Sequence, residues 1–162
     1  MKSIIRQSII LYRSISRRVN KILIATQLNN VGKNFQCDQN VIVYDGHNIN
    51  IGNNVVLNRG VLLQSCEGAR ISIGNNVTFS YGVKIITGNL SKDSLYKTDF
   101  HSHTSSSIQI GNNVWIGANS IILPGVQIPN NTIIAAGTIV NKALPDENCL
   151  YAGVPVKKIK NL

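Results

Sequence analysis

From Ile110 to Leu144 an aliphatic residue returns at every sixth position: Ile110, Ile116, Ile122, Ile128, Ile134 and Val140. The position after it is mostly small (Gly111, Gly117, Ala135). The fifth position of each hexad is small or β-branched (Val114, Ser120, Val126, Thr132, Thr138). A helix would spread such residues round its circumference, and one long strand would alternate them between two faces. A chain that folds inward after every short flat strand stacks them into a single column. The pattern therefore predicts a parallel β-helix built from hexads, three to a coil.

The element IGNN begins at Ile51, Ile73 and Ile110, with the degenerate forms VGKN and IPNN at Val31 and Ile128. Successive starts lie 20, 22, 37 and 18 residues apart, which is one coil of 18 plus inserts of 2, 4, 19 and 0. Each start falls on the same edge of a triangular prism, and each insert is a loop leaving a corner. The insert of four falls near Cys66, Glu67, Gly68 and Ala69, and the large one within Thr87 to Ser107. Asn53, Asn54, Asn75, Asn76, Asn112, Asn113, Asn130 and Asn131 fall where the chain must turn. Asn tolerates positive φ and bonds its own backbone, so these are read as turn residues. The reading divides the chain into an N-terminal helix (1–30), a β-helix of about five coils (31–145) with a loop protruding over 88–107, and a C-terminal tail (146–162).

Before the first coil the period changes to that of a helix. Ile4, Ile5, Leu11, Ile15, Val19, Ile22 and Leu23 share one face, while Lys2, Arg6, Arg13, Arg17 and Lys21 cluster nearly opposite. Two roles are open. The greasy face caps the open end of the coil stack or packs on a neighbouring subunit, or it lies on an anionic membrane surface. The two are compatible.

Charge sharpens this picture. The net charge is +9, yet residues 1 to 37 carry +7 and the remainder +2. The excess sits in one terminal arm, and the repeats lack a basic stripe interleaved with stacking aromatics, so nucleic acid is not an expected partner. Cys37, Cys66 and Cys149 are odd in number and form no CxxC pair, as expected of thiols in a reducing compartment. Arg6 and Arg13 interrupt the N-terminal apolar residues and no run approaches a membrane span, so the cytoplasm, including the inner face of the membrane, is the expected compartment.

The segments IGNNVWIGAN, ILPGV, AAGTIVNK and AGVPVKKIK, in this order, resemble the left-handed β-helix acetyltransferases with hexapeptide repeats. That family includes galactoside, maltose and serine acetyltransferases and the O-acetyltransferases of capsule and lipopolysaccharide synthesis. The resemblance covers about residues 31 to 160. It implies an all-β, left-handed parallel β-helix, a homotrimer with active sites between subunits, acetyl-CoA as donor and no metal. It also implies that Trp115 stands near the active site, that Gly117 and Ala118 form a corner at the pantetheine arm, and that Ala136 and Gly137 belong to a second small-residue segment beside it. Lys142, Lys157 and Lys160 match positions where the family places basic residues at the CoA phosphates. The residue types suit the chemistry. A sugar hydroxyl is a poor nucleophile, so an imidazole must take its proton during attack on the thioester, and a backbone N–H at a tight corner would serve the developing oxyanion.

The histidine departs from the family pattern. Galactoside-type members carry T-G-H-P at the loop entrance, whereas here Thr87 and Gly88 are followed by Asn89 and Leu90. The candidate bases are His101 and His103 at the far end of the same loop, with Asp99 placed to orient whichever works. His101 is preferred because it follows T-D-F. His47 is read as a corner residue.

An O-acetyltransferase acting on a saccharide, within bacterial surface-polysaccharide synthesis, is the leading expectation. Transfer to a small acceptor such as serine or an amino or nucleotide sugar is the alternative enzyme, and a non-catalytic β-helix scaffold the alternative class. A metal-dependent hydrolase fits poorly, because two of only three histidines share one loop with a single residue between them.

Overall fold

The computed structural model describes residues 2–91 and 103–162. Helix α1 (Lys2–Gln27) leads into a parallel β-helix whose strands, numbered in chain order, form three faces. The first face stacks β1 (Asn30–Val31), β4 (Ile49–Ile51), β7 (Ile71–Ile73), β12 (Ile108–Ile110) and β15 (Gln127–Ile128). The second stacks β2 (Gln36–Cys37), β5 (Val56–Leu57), β8 (Thr78–Phe79), β13 (Trp115–Ile116), β16 (Thr132–Ile134), β18 (Cys149–Ala152) and finally β19 (Lys157–Asn161). The third stacks β3 (Ile42–Tyr44), β6 (Leu62–Gln64), β9 (Lys84–Ile86), β14 (Ile121–Ile122) and β17 (Ile139–Val140).

The strand register reproduces the offsets of the IGNN element. Asn50 lies opposite Ser72, Ser72 opposite Gln109, and Gln109 opposite Gln127. The coil count needs a correction. Five complete coils are followed by a partial sixth, because β18 continues the second face beyond Pro145 and β19 folds back antiparallel upon it. What reads in sequence as a tail is the capped last edge of a sheet, and the antiparallel turn covers hydrogen-bonding groups that would otherwise template another chain.

Inside the prism the inward hexad positions stack buried apolar side chains into columns. Leu57, Phe79, Ile116 and Ile134 are 0% exposed and form one such column. Burying each stabilises the fold by about 1.5–3 kcal/mol. The corner between the first and second faces is held by two ladders of asparagine. The Nδ2 groups of Asn34, Asn54, Asn76 and Asn113 donate to the Oδ1 of the residue one coil on, ending at Asn131. In the second ladder the Oδ1 of Asn53, Asn75, Asn112 and Asn130 accepts a backbone N–H from the coil before. Asn34, Asn54, Asn76, Asn113 and Asn131 all have φ near +57°, the left-handed conformation expected of turn asparagines. Gly74 precedes one of these turns because a Cβ there would stand 2.7 Å from the Gly111 carbonyl oxygen.

Helix α1 docks on β2 and β3, but not by the face its apolar pattern suggests. Ile24 and Leu28, on the basic side of the helix, join the core at the open end of the first coil. Asn20 Nδ2 donates to the Asp38 carbonyl, and Arg17 Nε donates to Asp38 Oδ1 at 3.0 Å. Ile5, Leu11, Ile15, Val19, Ile22 and Leu23 remain exposed. The end of the stack is capped, yet by Ile24 in the last turn of α1 and Leu28 just beyond it, and the apolar stripe faces away from the prism.

This contact titrates on the acid side. Burial raises the Asp38 pKa, but the Gln39 N–H and the Arg17 and Arg59 guanidinium groups outweigh it and hold the carboxyl below the ordinary carboxylate value. A lowered folded-state pKa contributes stability that is present above the unfolded value, near pH 4, and is lost as pH falls through the folded one. Hydrogen exchange across residues 17–28 is therefore expected to be pH-independent above about pH 5 apart from intrinsic exchange, and to lose protection below about pH 4. Asp38→Asn removes that acid dependence. A variant that keeps the same acid transition places the titrating group elsewhere.

Candidate active site

The site grows out of the corner between the second and third faces. After β13, Gly117 turns the chain with its N–H donating 2.7 Å to the Ile134 carbonyl. A Cβ at Gly117 would stand within contact of the Ala136 nitrogen, so only glycine permits the two coils to approach here. One coil on, Gly137 (φ +69°) donates 2.8 Å to the Ala118 carbonyl. Gly117, Ala118, Ala136 and Gly137 are thus brought together as one shallow strip of small residues, half-buried at Ala118 and exposed at Ala136 and Gly137.

Trp115 flanks this strip on the second face, 53% exposed, as an outward-pointing hexad position should be. Its indole Nε1–H donates 2.9 Å to Ser80 Oγ. Ser80 sits at the corner one coil below, in line with Gly117, and sequence reasoning missed it. The signal was present: the 37-residue offset that pairs Thr78 with Trp115 and Phe79 with Ile116 puts Ser80 beside Gly117. An Nε1–H held by a hydroxyl keeps the indole in one orientation although its face is open to solvent.

Lys157 and Lys160 project from β19, exposed, opposite Ala152 and Leu150. The sheet order β13, β16, β18, β19 puts them three strand spacings, roughly 14 Å, along the stack from Trp115. Lys158, between them, is bound to Asp146 at 3.1 Å. Its pKa is raised by its hydrogen bonds to Asp146 and Cys149. Lys142 is exposed beyond β17 on the third face. Lys157 and Lys160 share a face with the indole, and Lys142 does not.

The loop rises from the corner between the third and first faces. The two shorter inserts leave by the same corner. The 3-10 turn Gly46–Asn48 carries His47, exposed as a corner residue, and the segment 65–70 sits one coil above it. The large insert leaves as a ribbon in which β10 (Gly88–Leu90) pairs antiparallel with β11 (His103–Ser105), so Leu90 faces His103. Its foot is pinned to the insert below: Thr87 Oγ1 accepts the Cys66 N–H at 2.9 Å, Ser105 Oγ donates 2.8 Å to the Glu67 carbonyl, and Ser107 Oγ accepts the Arg70 N–H. A Cβ at Gly88 would stand 2.5 Å from Cys66 Sγ, so a larger residue there would have to displace the Cys66 side chain. His103 is exposed on this ribbon. Asp99 and His101 lie outside the described residues. Within one chain the loop foot and Trp115 stand on different sides of the prism.

Among the described residues no group of three His, Cys, Asp or Glu is placed to hold a metal ion. The cysteines are free, Cys37 and Cys149 buried and Cys66 half-buried.

A hexad-repeat prism with a small-residue corner beside an indole defines a class, and similarity to known proteins places the chain within it. Residues 107–142 match the family model described as bacterial transferase hexapeptide (six repeats). The chain is 36% identical over 132 residues to galactoside O-acetyltransferase of Escherichia coli (strain K12), covering 82% of this chain and 53% of that one. A solved galactoside acetyltransferase in complex with coenzyme A is 34% identical, with a TM-score of 0.74 over 86% of this chain and 68% of the other. A maltose O-acetyltransferase from Clostridium difficile 630 superposes with a TM-score of 0.80 at 29% identity, over 93% and 84%. The protein belongs to the hexapeptide-repeat acetyltransferases. It spans about half the length of the first curated relative it matches.

Proposed function

We propose that this protein is an O-acetyltransferase that moves an acetyl group from acetyl-CoA to a saccharide hydroxyl, in the synthesis of bacterial surface polysaccharide. The observation that carries the reading is the alignment, along one side of the stack, of Lys157 and Lys160, the strip Ala118, Ala136 and Gly137, and Trp115. The strip leaves backbone within reach of an amide-bearing pantetheine arm, and cations three strand spacings away suit the phosphates at its far end. His101 or His103 takes the proton from the acceptor hydroxyl. The hydroxyl oxygen then bonds to the acetyl carbon, the carbon–sulfur bond breaks, and the CoA sulfur leaves with a proton. A backbone N–H at the Gly117–Ala118 corner stabilises the carbonyl oxygen as its charge develops.

The working unit is a homotrimer with each site between two prisms. Two observations support this. The foot of the loop, with His103, and the indole lie on different sides of one chain. Moreover, the outward side chains of the first face are polar (Asn50, Ser72, Gln109, Gln127), whereas those of the third are largely apolar (Ile42, Leu62, Ile121, Ile139), as is Ile133 on the second. An apolar sheet face of this kind is covered in a stable assembly. Ile121→Arg with Ile139→Arg is expected to convert the trimer to monomers in sedimentation and to abolish transfer. A trimer that persists with those changes places the interface on another face. Contact with a membrane through residues 1–28 belongs to the same reading.

Acetyl-CoA turnover measured across a panel of glycans, nucleotide sugars and serine tests the reaction. Thiol release with a saccharide acceptor is expected. Failure to bind CoA leaves the scaffold reading, and turnover with serine alone replaces the saccharide.

A further inference from the structure

We propose that α1 seats the protein on an anionic membrane surface through its exposed apolar stripe, turning the first-coil end toward saccharides tethered to that membrane. At 100° per residue, Asn20, Ile24 and Leu28, which dock the helix, lie opposite Leu11, Tyr12, Ile15, Val19 and Ile22. The stripe is therefore free by construction: its residues are 50% to 70% exposed while the other side of the helix holds the coil. From Ile5 to Leu23 it runs roughly 28 Å, long enough to lie along an interface. No helix among the described residues is long and apolar enough to cross a membrane.

Charge selects the occupant. The helix holds no acidic residue, and of its cations Arg17 is taken by Asp38 while Arg6, Arg13, Arg18 and Lys21 are exposed. Arg18 flanks the stripe beside Leu11, where it meets lipid headgroups as the apolar side chains sink into the acyl boundary, while Arg6, Arg13 and Lys21 on the docked side add longer-range attraction to an anionic surface. A second copy of this acid-free helix offers nothing to neutralise them.

The orientation follows from the stack and rests on the reading proposed above. Lys157 and Lys160 stand at the last-coil end, where the donor's phosphates would lie, and α1 stands at the first-coil end. With the donor arm descending from one end, the acceptor approaches from the other, which α1 holds against the membrane. The substrate class is then a saccharide carried on a lipid.

Flotation of the full chain with phosphatidylcholine vesicles, with and without phosphatidylglycerol, tests the docking. Binding is expected only with the anionic lipid and weakens with added salt. The variant Ile15→Asp with Ile22→Asp, at two exposed positions of the stripe, is expected to bind at least tenfold more weakly while melting as the parent does and turning over a soluble acceptor at the parent rate. Arg18→Gln, beside the stripe, loses affinity by roughly fivefold. The same double aspartate variant is expected to slow transfer to a lipid-linked saccharide in vesicles far more than transfer to the free saccharide. Absence of binding to anionic vesicles, equal binding by parent and variant, or dissociation of the trimer by the aspartates would overturn the docking even if acetyl transfer is intact. Vesicle binding by a protein that acetylates no saccharide would instead sink the proposed reaction and the substrate class, and leave the docking in place.

Discussion

Replacing His101 with alanine is expected to lower kcat for transfer to a saccharide by about 10² to 10⁴-fold with the KM for acetyl-CoA nearly unchanged. The reasoning is that the imidazole acts on the acceptor proton in the transition state and contributes little to holding the donor, so its loss appears in kcat. His103→Ala should show the smaller effect, since one imidazole takes the proton and the other shares its loop. Asp99→Asn is expected to fall between wild type and His101→Ala, because it orients the base and does not itself accept the proton. If the roles of the two histidines are exchanged, the large loss moves to His103. If both single variants and the double variant keep full activity, the base is not in this loop. The two-chain site adds a sharper test. A His101→Ala protomer still presents an intact Trp115 wall, and a Trp115→Ala protomer still presents an intact loop. Random mixing of the two inactive chains should restore about a quarter of the sites, those where a good loop meets a good wall. A site contained within one chain would regain nothing.

How much of this was legible in the sequence depends on which interaction fixes each element. The coils were readable to the residue, because a slip by one position turns every inward aliphatic outward, so the period of six and the offsets of 20, 22, 37 and 18 survive unchanged as strand register. The asparagine positions were readable for a related reason: only Asn and Gly take the left-handed corner at low cost, and stacking them at one corner makes the ladders. The last strand was hidden, since Cys149 to Ala152 follow a proline and two acids and pair through backbone groups that carry no period. The helix was readable as an amphipathic element but its docking side was not. Moment counts apolar residues, and the face that meets the coil needs only Ile24 and Leu28 beside the polar contacts of Asn20 and Arg17. Ser80 escaped because a lone serine has no pattern until the neighbouring coil is laid above it.

Phe79→Ala is expected to cost about 3–5 kcal/mol of stability, the range for truncating a fully buried aromatic. Phe79 is 0% exposed and stands in its column between Leu57 on the coil below and Ile116 on the coil above. Neither neighbour can move in to fill the space. Asn58 N–H donates to the Phe79 carbonyl and Ser80 N–H to the Ile116 carbonyl, so backbone hydrogen bonds hold the coils at their spacing while the side chain is removed. Much of the cavity therefore stays open, which puts the cost at the upper part of the range. Phe79→Leu conserves the inward apolar contact and should cost less than half as much. The change also reaches the site, because Phe79 is followed directly by Ser80, whose Oγ fixes the Trp115 indole. Thermal or urea unfolding gives the stability loss, and acetyl-CoA binding at a temperature where the variant remains folded gives the second effect, a weaker grip on the donor as the indole loses its fixed hydroxyl. A Phe79→Ala protein as stable as the parent would mean that the coils close over the gap, and that the column does not set their spacing.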